Sequence, residues 1–197
     1  DGTTTNSTTP VTAYQLRSVS PLPAPVLTST SGTLWSAGSG DVSISGETDA
    51  TFECSLDEAA YGACTSPVSL TGLTDGAHSL SVRQTDSTGT YVSDAATYSW
   101  TVDTTAPGLP LFAAIPGGVW AEDHFTFTPD QRFMESDSRY ETSSTFQCRL
   151  VTATSTGSWT PCTSGFEVTG LADGMTEVSV KQIDAAGNES GVFASQF

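Results

Sequence analysis

The sequence predicts an all-β protein made of two tandem copies of one β-sandwich domain, and three observations lead to this. With 18 Gly, 10 Pro and abundant Ser and Thr in 197 residues, the composition is typical of turn-rich β structure. No amphipathic helical stripe runs for more than two turns. The chain repeats itself once, and its four cysteines fall into two local pairs, one in each copy.

The repeat consists of three blocks that recur in the same order. A length of 197 residues accommodates two sandwich domains of about 90 to 100 residues each. The second copy carries four extra residues between its two cysteines. The matching blocks are Thr51–Leu56 with Thr145–Leu150, Thr71–Gly76 with Thr169–Gly174, and Ser81–Asp86 with Ser179–Asp184.

Short strands are predicted in the first copy wherever apolar and polar residues alternate between turn signals. In the sixth strand Leu80, Val82 and Gln84 alternate with small or charged residues, so their face should lie inward. Trp100 in the last strand is a predicted core anchor. Seven strands at this spacing indicate a sandwich of immunoglobulin or fibronectin type III type. The predicted strands are Pro25–Thr30, Asp41–Gly46, Thr51–Leu56, Tyr61–Cys64, Val68–Leu70, His78–Thr85 and Thr97–Val102.

A Gly-Leu-x-Asp-Gly element occurs in both copies at the corner before the penultimate strand. Leu73 and Leu171 are predicted to enter the two cores. Gly76 and Gly174 are predicted to permit a tight turn with positive φ. His78 follows this element in the first copy, and we interpret it as a corner residue.

Composition also predicts the domain limits. Residues 1–21 are rich in Thr and Ser without clear alternation, which indicates a linker or tail. The first domain is predicted over residues 22–103 and the second over residues 104–197. Because Pro107 restrains the residue before it to extended geometry, we expect a short, rather stiff joint and a rod-like pair of domains.

The four cysteines are predicted to form disulfides within each copy, Cys54 with Cys64 and Cys148 with Cys162. Four cysteines allow three pairings, and only the local one treats both copies alike. Each bridge should stabilise its domain by about 3 kcal/mol. Disulfides imply an oxidising, extracellular location. A zinc site is the alternative interpretation, although the spacings are too wide for a zinc knuckle and no histidine lies close in sequence.

The charge balance excludes two classes of partner. Six Lys and Arg residues against 22 Asp and Glu residues give a net charge of −16. Such a surface repels nucleic-acid phosphates and anionic lipid headgroups, and attracts cations such as Ca²⁺ or a basic partner. The acidity can also serve only to keep an extracellular fibre soluble. The longest apolar run, Leu111–Ile115, is far shorter than the roughly 20 residues of a membrane span, so no membrane insertion is predicted.

Taken together, the repeated blocks resemble a bacterial immunoglobulin-like repeat family of large surface adhesins and secreted multidomain proteins. The resemblance implies an extracellular spacer or adhesive module, usually in tandem and sometimes with Ca²⁺ at the domain junctions. It covers most of the first copy and the latter half of the second. The residues that carry it are Ala50–Asp57, Cys64–Pro67, Gly72–Gly76, Trp100–Pro107 and Asp184–Asn188.

A calcium site is predicted at the junction from topology. In this type of sandwich the end of the last strand lies at the same pole as the corner element. The next domain presents its turns to that pole, so Asp75 and Asp103 should approach Asp184 and Asn188. Hard oxygen ligands suit Ca²⁺. The alternative is that these are ordinary turn residues.

Two further features suggest ligand binding. The second copy has an enlarged connection over residues 128–141 that contains Arg132, Arg139 and Tyr140. Long loops on rigid scaffolds often carry recognition, although an elaborated solvent loop is the alternative. Trp159, between the cysteines of the second copy, is the best candidate for an exposed, sugar-stacking aromatic, with Trp35 and Trp120 as further candidates. A role in core or hairpin packing is the alternative for these tryptophans.

Nothing in the sequence indicates catalysis. The only histidines, His78 and His124, fall in different domains, and the cysteines are paired, so no nucleophile and base are predicted to meet. We therefore predict a non-enzymatic protein with no required cofactor. The leading function is a structural and adhesive module that presents loops to a protein or glycan on another surface. The alternatives are a carbohydrate-binding accessory module and a receptor-like recognition protein.

Overall fold

The structure is a computed structural model that describes residues 21–110, 125–127, 144–163, 166–169, 171 and 173–196. Every regular element in these residues is a β-strand. No helix in this part of the chain is long and apolar enough to cross a membrane. The predicted all-β class is confirmed.

The first copy folds as two sheets that face each other. A three-stranded sheet has the order β1-β3-β6, and a five-stranded sheet has the order β2-β8-β7-β4-β5. All pairs are antiparallel except β2 with β8, which run parallel. The strands are β1 (Val26–Thr28), β2 (Leu34–Trp35), β3 (Gly40–Ser45), β4 (Thr51–Leu56), β5 (Gly62–Cys64), β6 (Val68–Leu70), β7 (Gly76–Thr85) and β8 (Ala96–Val102).

The second copy repeats this arrangement in the residues that the structure describes. One sheet has the order β11-β10-β14-β15, with β12 also paired to β10, and β13 pairs with β9 in another. The strands are β9 (Phe125–Phe127), β10 (Thr145–Thr152), β11 (Ser155–Thr156), β12 (Thr160–Cys162), β13 (Phe166–Val168), β14 (Thr176–Ile183) and β15 (Phe193–Gln196).

The seven predicted strands of the first copy are all present, with ends that differ by up to two residues. The sequence reading missed β2, because a two-residue strand carries no alternation. This strand places Trp35 in the core at 2% exposure, stacked on Trp100 with ring centroids 4.7 Å apart. The suggestion that Trp35 is an exposed, sugar-stacking aromatic is therefore wrong, whereas the core role of Trp100 is confirmed. Trp120 lies outside the described residues.

Each copy has its own hydrophobic core. The predicted inward face of β7 is confirmed, since Leu80, Val82 and Gln84 are all buried. Leu73 and Leu171 pack against the two cores as the corner element predicts. The first core contains Trp35, Val42, Ile44, Leu70, Leu80, Val82, Trp100 and Val102, and the second contains Phe146, Cys148, Cys162, Val168, Val178 and Val180.

Gly76 and Gly174 adopt φ of 130° and 131°, as their position in the corner element predicts. A side chain at this φ is strongly disfavoured, so glycine is required where the chain turns into β7 and β14. The same backbone bend at matching positions shows that the corner is built alike in both copies.

The two disulfides join Cys54 to Cys64 and Cys148 to Cys162, which confirms the predicted local pairing. In the first copy Cys54 pairs with Gly62 while Cys64 pairs with Phe52, so the bridge runs diagonally between β4 and β5. The bridge between β10 and β12 has the same register. All four cysteines are thus used within their own copy.

A buried glutamine ties the first segment of each copy to its sheet, a feature that the repeated sequence blocks did not reveal. The Gln84 Nε2 donates to the carbonyl of Pro23 at 2.6 Å, and the Gln182 Nε2 donates to the carbonyl of Gly108 at 2.6 Å. In both cases a serine hydroxyl accepts from the glutamine backbone N–H, Ser93 at 3.0 Å and Ser190 at 2.9 Å. The duplication therefore extends to the edge of each sandwich.

Candidate functional site

The four residues predicted to bind calcium lie in two hydrogen-bonded groups around the segment that joins the copies. Asp75 precedes β7, Asp103 follows β8, and Asp184 and Asn188 bound the turn after β14. The structure thus brings Asp103 together with Asn188 and Asp184, while Asp75 contacts the two residues after Asp103.

Asp75 holds the start of the joint. Its Oδ1 accepts from the Thr104 backbone N–H at 2.9 Å and from the Thr104 hydroxyl at 2.7 Å. Its Oδ2 accepts from the Thr105 hydroxyl at 2.7 Å. These hydrogen bonds, those from Thr104 first, hold the pKa of Asp75 below its usual value. The carboxylate is therefore ionised at neutral pH and fastens the joint to the first copy.

Asn188 fastens the same segment to the second copy. Its Nδ2 donates to the Asp103 carbonyl at 2.7 Å and to Asp184 Oδ2 at 2.9 Å. Asp184 Oδ1 accepts from the Asn188 backbone N–H at 2.8 Å. Asp184 is buried, so it orients Asn188 from within the turn that both residues form.

This geometry is that of a hydrogen-bonded contact. Ca²⁺ is surrounded by oxygen ligands, whereas here an amide N–H group faces the Asp103 carbonyl and the Asp184 carboxylate. An N–H group cannot ligate a cation, so in this arrangement Asn188 holds the joint by hydrogen bonding. Within residues 21–110, 125–127, 144–163 and the described part of 166–196, no group of three or more His, Cys, Asp and Glu is placed to hold a metal ion. Calcium binding at the joint stays a prediction.

Trp159, the predicted ligand-binding aromatic, is half-buried against two basic side chains. The Arg149 guanidinium lies 4.6 Å from the indole centroid and the Lys181 ammonium lies 4.9 Å from it. Lys181 also forms an ion pair with Glu189 at 2.6 Å. The other predicted ligand-binding residues, Arg132, Arg139 and Tyr140, lie outside the described residues.

The first copy has the same contact at the matching position. Tyr61 and Trp159 both stand three residues before the second cysteine of their copy. The Arg83 guanidinium lies 4.3 Å from the Tyr61 ring centroid and pairs with Glu53 at 2.8 Å. A contact present in both copies indicates a packing role, in which a cation on the penultimate strand covers the ring.

The sequence reading missed one polar pair, Asp57 with His78. Asp57 Oδ2 lies 2.7 Å from His78 Nδ1, and His78 Nε2 lies 2.8 Å from the Thr74 carbonyl. Both ring nitrogens face acceptor oxygens, which suits the doubly protonated imidazolium. The Thr74 carbonyl, followed by Asp57, raises the pKa of His78, and the hydrogen bond to His78 lowers the pKa of Asp57. No sequence pattern points to this pair, because the register that brings it together, with Leu56 opposite Leu80, joins strands that are distant in the chain.

Solved structures of other proteins define the fold. The FN1–FN3 domains of chicken CNTN1 superpose with a TM-score of 0.53 at 10% identity, over 90% of this chain and 67% of that one. The fibronectin(III)-like modules of Clostridium thermocellum CbhA superpose with a TM-score of 0.52 at 15% identity, over 87% of this chain and 92% of theirs. This chain has the fold of tandem fibronectin type III-like domains.

No family model matches the sequence, and no curated protein is similar to it in sequence. The resemblance to the bacterial repeat family therefore stays a prediction, while the immunoglobulin-like or fibronectin type III-like sandwich is confirmed. The domain limits after residues 21 and 103 also stay predictions.

Proposed function

We propose that this chain is an extracellular structural module in which two fibronectin type III-like domains form a stiff spacer and present loops to a partner. The observation that carries the proposal is the joint. Asp75 from the first copy and Asn188 from the second both bind residues 103–105. Gln182 binds Gly108, further along the same segment.

A fastened joint matters because neighbouring domains of one chain move relative to each other unless their contact prevents it. Here Asp75 accepts from both Thr104 and Thr105, and Asn188 donates to Asp103. Pro107 and Pro110 are buried and fix their own φ. Bending the joint would break hydrogen bonds on both of its sides, so the pair resists bending.

An extracellular location agrees with the two disulfides, which persist in oxidising compartments. The net charge of −16 would keep such a spacer soluble and unaggregated. The adhesive part of the proposal depends on exposed loops. In the turn between β7 and β8, Tyr91 and Val92 are about half exposed, which is an apolar contact surface on a rigid scaffold.

Small-angle X-ray scattering tests the joint. We expect an extended particle with a narrow distance distribution for the wild type, and a broadened distribution for the Asp75→Ala/Asn188→Ala variant. Asp86→Ala is the control, because Asp86 accepts similar hydrogen bonds from Thr88, Thr90 and Tyr91 within the turn of the first copy. Scattering from the wild type that already requires many interdomain orientations would refute the stiff spacer.

The carbohydrate-binding alternative needs an accessible aromatic ring. Trp159 is half-buried and contacts Arg149 and Lys181, which weighs against sugar stacking on this residue. A glycan array probed with the whole chain tests this alternative, since a spacer is expected to retain no glycan.

A further inference from the structure

Both copies carry an Asp-Gly pair at the corner that leads into their penultimate strand, Asp75–Gly76 in the first and Asp173–Gly174 in the second. The two glycines have nearly the same φ, 130° and 131°. An Asp-Gly pair is chemically labile, because glycine has no side chain to keep its backbone nitrogen away from the carboxyl carbon of the aspartate. Since both pairs have the same residues and the same bend, their surroundings decide how they react.

The pair of the first copy is held on both sides of its peptide bond. The Asp75 carboxylate accepts three hydrogen bonds, at 2.9 Å and 2.7 Å from Thr104 and at 2.7 Å from Thr105. Gly76 is the first residue of β7 and pairs with Val102 of β8. Neither the carboxyl group nor the glycine backbone can move toward the other without the loss of these contacts.

The pair of the second copy has none of these restraints within the residues that the structure describes. Asp173 is exposed, and no hydrogen bond or ion pair joins its carboxylate to another described residue. Gly174 is also exposed and lies two residues before β14, which begins at Thr176. The carboxyl group and the peptide nitrogen are therefore free to approach each other.

We propose that Asp173–Gly174 is a modification site, at which aspartate converts to isoaspartate without an enzyme, while Asp75–Gly76 stays intact. The Gly174 backbone nitrogen attacks the carboxyl carbon of Asp173 and forms a cyclic succinimide. A water molecule leaves, made from the carboxyl OH group and the proton of the amide nitrogen. Water then opens the ring at either carbonyl carbon, which restores aspartate or gives isoaspartate. The reaction needs no oxidant, no reductant and no co-reactant other than water.

Isoaspartate would change the corner of the second copy. The main chain then runs through the former side chain, which lengthens the backbone by a CH₂ group. Gly174 leads into β14, and Leu171 packs against the second core, so modified chains should lose order at the start of β14. This inference goes beyond the proposed function, because it concerns the chemical ageing of the chain. It gives the hydrogen bonds of Asp75 a second role, which is to protect the peptide bond beside it.

The experiment keeps the whole chain at neutral pH and body temperature for several weeks. Isoaspartate is then measured in proteolytic peptides by electron-transfer dissociation mass spectrometry. We expect it to accumulate at least about tenfold faster at residue 173 than at residue 75, because the hydrogen bonds of Asp75 must break before the attack. The reduced chain in urea is the reference, since both pairs are unfolded there and should react at similar rates.

A variant tests the protection of Asp75 directly. Thr104→Ala/Thr105→Ala removes two of the three hydrogen bonds to Asp75, so it should raise the rate at residue 75 and leave the rate at residue 173 unchanged. Thr88→Ala is the matched control, because it removes a similar hydroxyl bond to Asp86 in the turn at the other end of β7. It should change neither rate.

Equal rates at the two pairs of the folded chain, or a faster rate at residue 75, would overturn the inference. Absence of isoaspartate at residue 173 would overturn it too, as would a Thr104→Ala/Thr105→Ala variant that changes nothing at residue 75 or acts no more strongly there than Thr88→Ala. Thr104 and Thr105 directly follow the last strand of the first copy, so their bonds to Asp75 do not require the second copy to be held. A flexible joint with Asp75 still protected would refute the proposed function alone.

Discussion

Among the residues that the structure describes, the two copies differ clearly in the connection that leaves their first cysteine-bearing strand. In the first copy β4 ends at Leu56 and the chain turns at once through Asp57 and Glu58. In the second copy β10 continues to Thr152 and folds back as β11. The four extra residues between the cysteines of the second copy build this hairpin. One copy thus has a tight turn with an open groove beside it where the other has more sheet.

The features that the copies share lie inside the sandwiches and along their first segments. In both copies a buried glutamine, Gln84 or Gln182, donates to a carbonyl of the first segment, and a disulfide joins the same pair of strands. A residue with several buried partners cannot change without loss of stability, whereas an exposed turn can. The comparison teaches that binding features should be sought on the outer surface of the first copy, where the pattern diverges.

The largest expected effect comes from the disulfides, and it should be confined to one copy. Replacing Cys54 and Cys64 by Ala should lower the free energy of unfolding of the first copy by about 3 kcal/mol, because a loop of this size is no longer closed in the unfolded chain. The Cys148→Ala/Cys162→Ala variant should act likewise on the second. Hydrogen exchange resolved by peptide measures both, and equal loss of protection in both copies would contradict separate cores.

The next effect concerns the shared glutamine. Gln84→Leu should destabilise the first copy by about 2 kcal/mol, because the Pro23 carbonyl and the Glu47 N–H lose their buried partner. Gln182→Leu should do the same to the second copy through Gly108. Gln196→Leu is the control, because this exposed side chain should contribute less than about 0.5 kcal/mol. Urea unfolding measures the difference, and a neutral Gln84→Leu would remove the anchoring role.

A smaller effect is that the stability of the first copy should depend on pH through His78. The second copy should lack this dependence, since it has Thr176 at the matching position. The raised pKa of His78 means that its stabilisation is fully present below about pH 6.5 and is lost as pH rises through the raised value. The lowered pKa of Asp57 means that its stabilisation is present above about pH 4 and is lost as pH falls further. The pair therefore stabilises the first copy most between these values.

Thermal unfolding of the wild type and of His78→Gln at pH 5.5 and pH 9 checks this, with the difference between the two proteins largest at the lower pH. An NMR titration should give a pKa for His78 above the ordinary histidine value. A pKa at or below that value would contradict the doubly hydrogen-bonded imidazolium.

Much of the fold could be predicted from the sequence. The alternation of apolar and polar residues indicates which face of a strand is buried, and the matched positions of the cysteines indicate which disulfides form. The exception, β2, is too short for alternation, and its pairing with β8 depends on contacts distant in sequence. Because β2 was not predicted, Trp35 was placed on the surface, although the structure buries it in the core.

The place of the joint was predicted from the sequence, but the hydrogen bonds that fasten it were not. Topology brought Asp103 near Asp184 and Asn188, as the structure shows. An asparagine side chain offers both an oxygen and an N–H group, and only the geometry decides which one faces the neighbour. The Asp57–Glu58 turn was missed because Glu is uncommon at positive φ, so its sequence does not resemble a turn of this type.

The central claim is that two self-contained domains are held by a joint fastened with hydrogen bonds. Residual dipolar couplings measured with a chelator present test this claim most directly. The couplings of residues 26–102 and of residues 145–196 are fitted separately to alignment tensors. The account predicts the same tensor, in magnitude and orientation, for both copies without any metal ion. Two tensors of clearly different magnitude would contradict it, because they would show that the copies reorient independently.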